Sequence, residues 1–374
     1  MKVRTTLILL TLLFMSAVAL GYPRKADTKR DERRRGQKVD RKSPADSQVS
    51  VSVCISSGSI TVKGWDRNEV QARSSEAADI VLRRKDAGAG PPTKMEVRVT
   101  DKESGASSGD PCEAYSDLVL SVPQGATVQL QTRDSDIEVS DVAVVYVQTQ
   151  NGDVTIERAS KIVEAATIGG GISLRDSQGR ISLHSASGTI DAADVKPAES
   201  SDTFDAKSLG GDITLDHITH AHLTANTLNG GLCVSGPLAA GGRYNFRTMS
   251  GDMTLTIPEN SSFQLSARYS QQAEIITDFP ITVLSQTNAK PAPVVTPAPA
   301  PKPAPGASSS EPVVPAPVVV EVNPDVVTKI KTKKGTVVVD LSALSLRRLE
   351  GIHGSGDAKL ELSSFSGTIH LQKQ

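Results

Sequence analysis

"YNFRTMSGDMTL" (residues 244–255) reads in outline like "LTANTLNGGLCV" (223–234) and "LELSSFSGTIHL" (360–371). Only a glycine is held between them. Aligned on that position, ten copies of the phrase appear, turning at Gly58, Ser135, Gly152, Gly170, Gly188, Gly211, Gly230, Gly251, Gly335 and Gly367. Two residues after each turn the side chain is apolar, as at Ile60, Ile137, Val154, Ile172 and Ile190. Five residues before it is apolar again, as at Val147, Leu183 and Phe246. Three residues before, nine copies carry Thr or Ser, and only Ile55 departs.

Alternation with period two on both sides of a glycine means two short strands, each burying one face, joined at a tight corner. Glycine suits a corner that needs φ > 0 or close backbone approach. A Thr or Ser hydroxyl at the strand end can satisfy backbone groups at the bend. From Ser135 to Gly251 the turns are spaced 17, 18, 18, 23, 19 and 21 residues apart. Such a period is the signature of stacked coils, one coil per phrase. A single coil buries about four aliphatic side chains, at roughly 1.5–3 kcal/mol each. Ordering its backbone costs roughly 1–2 kcal/mol per residue, so coils hold only when stacked. The expected fold is therefore all-β: a single-chain parallel β-solenoid, or β-helix-like stack, of short strands with Gly turns. Ile137, Val154, Ile172 and Ile190 should form one buried ladder, and residues 49–133 an N-terminal cap within a solenoid domain of 49–290.

Aromatics are 3% of the 374 residues, so Val, Ile, Leu and Ala must build the core. The net charge of −1 hides an asymmetry. Residues 22–42 hold ten basic side chains against four acidic ones, which leaves −9 on residues 43–374. That acidic body excludes nucleic acid as a partner class. The basic stretch, within a segment 22–48 expected to be disordered, offers residues 24–42 to an anionic lipid or wall polymer. Ahead of it, Lys2 and Arg4 precede the apolar run "LILLTLLFMSAVAL" (7–20) and the small-x-small site Ala19-Leu20-Gly21. A run of 14 residues is short for a membrane span, so residues 1–21 read as a signal peptide cleaved before Tyr22, with an uncleaved anchor as the alternative. An exported protein in the periplasm, at the cell surface or secreted is expected.

Residues 291–325 form a proline-rich linker, with eleven of the 21 prolines between Pro291 and Pro324. The phrase resumes after it, around Gly335 and Gly367. About 50 residues are too few for an independent β domain of this composition, so residues 326–374 should dock back on the solenoid and close its open end beyond Met253–Ile257.

The segments "SSGSITVKGWDRNEVQARSS" (56–75), "LVLSVPQGATVQLQTRDSDIEV" (118–139) and "GSGDAKLELSSFSGTIHLQ" (354–372), with the run of Gly-Asp turns between them, resemble the bacterial "putative adhesin" β-strand-repeat family, a domain of unknown function. That resemblance implies a secreted or envelope-exposed β-solenoid. It supplies no catalytic residues.

The remaining chemistry is sparse. Cys54 and Cys112 are near enough in sequence to pair in an oxidising compartment, which leaves Cys233 as a free, buried thiol. His217, His220 and His222 lie close together but read as solvent-facing loop residues rather than a metal site. Asp153, Asp212 and Asp252 follow their turn glycines directly and could line up as carboxylates do in β-helix polysaccharide enzymes. Gly171, Thr189 and Gly231 break that row, and turn chemistry alone explains Asp there. Trp65 reads as cap packing. The expectation is a non-enzymatic, adhesin-like interaction protein with no catalytic, metal or cofactor site, whose partner is a cell-envelope or surface component. An exported polysaccharide lyase or hydrolase is the alternative.

Overall fold

The structure, a computed structural model, describes residues 38–74, 79–100, 112, 114–287, 320–321, 327–332, 335–340 and 346–374. The chain divides into two compact units, Met1–Gln37 and Lys38–Gln374, and every described residue belongs to the second. The expected signal peptide and most of the basic segment and proline-rich linker lie outside the described residues.

The N-terminal strands are β1 (Val39–Pro44), β2 (Ser50–Trp65), β3 (Glu69–Ser74), β4 (Asp79–Arg84), β5 (Lys94–Thr100), β6 (Tyr115–Pro123) and β7 (Thr127–Ser140). Six two-strand coils follow. Their pairs are β8 (Val144–Gln148) with β9 (Val154–Glu157), β10 (Ile162–Thr167) with β11 (Ile172–Arg175), and β12 (Arg180–Ser185) with β13 (Ile190–Ala193). Next come β14 (Thr203–Ser208) with β15 (Ile213–Asp216), β16 (His222–Asn229) with β17 (Leu232–Ser235), and β18 (Arg243–Ser250) with β19 (Met253–Ile257). The C-terminal strands are β20 (Phe263–Tyr269), β21 (Ala273–Thr277), β22 (Thr282–Thr287), β23 (Val320–Glu321), β24 (Val327–Thr332), β25 (Gly335–Asp340), β26 (Arg347–His353) and β27 (Ala358–Lys373).

Within the coils every pairing is parallel and in register. The first strands form one ladder and the second strands another, folded against each other at the corner. The second ladder runs Ile137, Val154, Ile172, Ile190, Ile213, Leu232, Met253 and Ile369, each directly opposite the next. All are buried and belong to one continuous core, together with first-ladder residues such as Val147, Leu183, Phe204 and Phe246. The expected buried ladder is present.

Both chain ends enter the stack out of order. β2 lies between β6, with Ile60 opposite Leu118, and β7, with Ile60 opposite Ile137. β27 lies between the β18–β19 coil and the β20–β21 coil: Leu360 faces Tyr244 on one side and Leu265 on the other. Each inserted strand spans 16 residues and runs through its corner glycine, Gly58 or Gly367. Antiparallel strands close the ends, β1, β3 and β4 at one and β26 with β22 at the other.

Several expectations need correction. Residues 49–133 are not simply a cap, because β2 and the start of β7 are stack strands. Val39–Pro44 is a strand paired with β3 rather than part of a disordered segment. The tail does cover Met253–Ile257, but as an inserted coil with β20–β21 beyond it. Gly335 is not a coil corner. It opens β25, which pairs antiparallel with β24 (Thr332 opposite Gly335) in a separate three-stranded sheet with β23. A two-strand hairpin carries the same local alternation as a coil, and only stacking partners distinguish the two.

Candidate functional site

The corner residues form a column whose spacing explains the glycine. A Cβ on Gly170 would lie 1.9 Å from the carbonyl oxygen of Gly152, and one on Gly188 would lie 1.9 Å from that of Gly170. On Gly211 it would meet the Gly188 oxygen at 2.1 Å. The same clash recurs from Gly230 to Gly251 and Gly367. Gly58, Gly152, Gly251 and Gly367 also have positive φ, so there the backbone conformation adds to the demand. Ser135 is buried in the column, within the unbroken strand β7.

The Ser/Thr three residues earlier completes each corner. Ser185 Oγ donates to the Gly170 carbonyl (3.1 Å) and accepts from the Gly188 N–H (2.9 Å). Ser208 does the same between Gly188 and Gly211. These hydroxyls are buried and linked to the neighbouring coil, so they stitch the stack together.

The acidic row is likewise committed. Asp136 accepts from Asp153 N–H (3.0 Å), Asp153 from Gly171 N–H (2.8 Å), Asp212 from Gly231 N–H (2.7 Å) and Asp252 from Thr368 N–H (2.7 Å). Each carboxylate satisfies a backbone donor of the next coil, and the row is a stacking device.

The histidines do not converge. His217 sits at a bend with its Nδ1 3.0 Å from Asp216, and His222 is exposed. His220, against expectation, is fully buried: its Nε2 donates to the Gly179 carbonyl at 2.7 Å and its ring packs edge-on against Phe204. Burial pushes its pKa below the ordinary value, while the Gly179 hydrogen bond and the charge of Asp202 oppose that shift. No cluster of three metal-ligating side chains occurs among the described residues. Cys233 is exposed rather than buried, because it alternates outward between Leu232 and Val234 on β17. Trp65 donates Nε1–H to the Glu69 carbonyl at 2.9 Å and lies under the Arg67 guanidinium.

A second column of corners was not foreseen. Six residues after the first corner, Asp141, Arg158, Asp176, Asp194 and His217 have φ between 50° and 60°. Their N–H groups donate to the coil above, as Arg158 to Arg175 O and Asp176 to Ala193 O. Asp tolerates the left-handed region, but the mixed identities hide the column from a search for one letter.

The outer face of the first ladder offers concave surface to a ligand. A groove of about 600 Å³ crosses it near the N-terminal end, over Ser52, Gln129, Gln131, Tyr146, Gln148 and Ser182. The Cys54–Cys112 disulfide and the strand bearing Glu96 and Arg98 wall it. Burial tends to raise the Glu96 pKa, but hydrogen bonds from Arg98 and Lys85 outweigh this and hold the carboxyl below its usual range. Farther along the same face a shallower hollow of about 450 Å³ is bordered by Asp205, Lys207, Arg243, Lys359 and Glu361. The first groove is lined by amides, hydroxyls, the paired Glu96 and Glu164, and His184 over apolar Leu130 and Val147, with Tyr146 as its aromatic surface.

The profile of the Toastrack DUF4097 family matches residues 44–275, well over half of the chain. The chain belongs to that family. The Toastrack match runs from the last residue of β1 through β2 to β7, the six regular coils and β20, and it ends within β21. Among solved structures the chain is similar to one described as a "putative cell adhesion protein" from Clostridium sporogenes, with 8% identity and a TM-score of 0.22 over 90% of this chain and 100% of that one. It is also similar to a "putative lipid binding protein" from Parabacteroides distasonis, with 9% identity and a TM-score of 0.27 over 59% of this chain and 90% of that one. No curated protein matches.

Proposed function

We propose that this Toastrack protein is an exported, non-enzymatic interaction protein that holds a polar component of the cell envelope or surface against the outer face of its first ladder. The observation that carries the reading is where the reactive side chains are. The Asp row and the Ser/Thr column are spent on backbone groups of adjacent coils, and His220 is buried against Phe204. The groove over Gln131, Tyr146 and Gln148 offers amides and a phenol to a polar polymer, while its ionisable lining residues are engaged within the chain, Glu96 with Arg98, Glu164 with Arg180 and His184 with Ser182. Export is supported by Lys2 and Arg4 ahead of the apolar run 7–20, and by a disulfide, which persists in oxidising compartments.

The test is retention of the full chain on isolated envelope polysaccharide, compared with the Tyr146→Ala/Gln148→Ala variant. Binding by the parent and its loss in the variant are expected, with no reducing or unsaturated ends released from the polymer. Equal retention of both proteins would move the site elsewhere. Release of new chain ends would favour the polysaccharide-active enzyme.

A further inference from the structure

Two residues before each corner glycine the side chain points outward at the bend. In the coils of Ser135 and Gly152 that position holds Arg133 and Gln150, as an exposed bend would suggest. In the next six coils of the stack it holds Ile168, Ala186, Leu209, Leu228, Met249 and Phe365. Ile168 is 58% exposed, Leu209 59%, Leu228 41% and Met249 49%. Stacking at strand spacing makes this an apolar ridge about 24 Å long. The polar residues at the same corner in earlier coils show that the bend itself does not require apolar side chains. Small residues sit next to it, among them Gly169, Ser187 and Gly210, so another backbone can approach closely.

The charges beside the ridge identify the occupant. On its first-ladder side, Lys207, Arg247 and Arg268 stand two residues from the ridge position or its equivalent; on the other side of the same three corners stand Asp212, Asp252 and Glu274. Ridge coils without a cation on the first side have no anion on the second, as Ala166 with Gly171, Asn226 with Gly231 and Ser363 with Thr368. Within the described residues Lys207 pairs with Asp205, and no ion pair joins it to Asp212, Arg247 to Asp252 or Arg268 to Glu274.

We propose that the ridge is the interface between two copies of this chain, packed side by side with their stacks parallel. A two-fold axis along the stack sets each coil against its own copy. Leu209, Leu228 and Met249 then meet their counterparts, and Lys207, Arg247 and Arg268 face Asp212, Asp252 and Glu274 of the same coils in the partner copy. The opposite, antiparallel pairing would set basic side against basic side. An anionic membrane would meet the acidic row with repulsion. A specific pair needs about 1,000 Å² of buried surface, which the ridge has to supply together with its two flanks.

Sedimentation velocity of the full-length chain should show a concentration-dependent dimer. Leu209→Ser/Leu228→Ser should weaken it about a hundredfold while leaving unchanged the melting temperature measured at concentrations where both proteins are monomeric, since both side chains are exposed. In a Cys233→Ser background, Met249→Cys and Leu209→Cys, made separately, should each cross-link to their own copies under mild oxidation, because a parallel, in-register pair brings both positions to their counterparts and an antiparallel pair brings one at most. A chain that stays monomeric, or a dimer indifferent to the two serines, overturns the proposal. Binding of the monomer to anionic phosphatidylglycerol vesicles that disappears in the Leu209→Ser/Leu228→Ser variant would also overturn it and assign the ridge to a lipid surface.

Discussion

At the residue scale the stack rests on missing atoms. Gly188 has no room for a Cβ, whereas one on the neighbouring Gly171 would meet nothing nearer than Thr189 Oγ1 at 3.4 Å. Gly188→Ala is therefore expected to cost at least about 2 kcal/mol and Gly171→Ala less than about 0.5 kcal/mol, read from denaturant midpoints. His220 gives a second prediction. Its pKa is lowered by burial from 6.5, so the folded state binds fewer protons than the unfolded one. Its contribution to stability is intact above about 6.5 and declines as pH falls from there through the lowered folded pKa. Melting temperatures between neutral and mildly acidic pH should fall less steeply for His220→Gln, which can keep the donor to Gly179. A parallel fall in both proteins would place the acid sensitivity elsewhere. The glycine column and the Ser/Thr before it were legible in the sequence because one physical demand recurs with one chemical answer. His220 was not, since a loop position says nothing of the Phe204 ring packed against it.

At the element scale, order in space departs from order in sequence at both ends. The phrase in β27 identifies it as a coil, but nothing local to residues 358–373 says which coils it separates. That information lies in the match between its two edges and the strands they meet, Arg243–Ile257 and Phe263–Thr277. Gly335 shows the converse, where the local pattern of a coil belongs to a hairpin. Insertion has a consequence for assembly. β20 and β21 reach the β18–β19 coil through β27, so this end of the stack is completed when residues 358–373 take their place between them. Proteolytic cutting within residues 295–320 should leave two fragments that co-elute on a sizing column, because β27 keeps pairing on both edges. Deleting residues 346–374 should expose the edges of β19 and β20 and drive aggregation. Fragments that separate and stay soluble would show that the tail folds by itself.

At the scale of the whole molecule, the fold uses its polar side chains as mortar. Hydroxyls join one corner to the next, carboxylates hold the N–H groups above them, and a second row of left-handed corners, from Asp141 to His217, returns those coils to the first ladder. The class of fold was readable because periodicity survives even when few letters do. The binding face was not, because outward positions such as Gln131, Tyr146 and Gln148 carry no period of their own. They become a groove only once coils are stacked and the Cys54–Cys112 bridge walls one side. The central claim is the stack itself, with the C-terminal phrase as its last-but-one coil. Disulfide trapping tests it most directly, in a Cys233→Ser background because native Cys233 lies opposite Thr254. Thr254→Cys with His370→Cys should close an intrachain bridge under mild oxidation, since these residues are directly opposed. Thr254→Cys with Ile276→Cys should not, because His370 stands between them. A bridge in the second pair and none in the first would mean the coils stack in sequence order and would contradict this account.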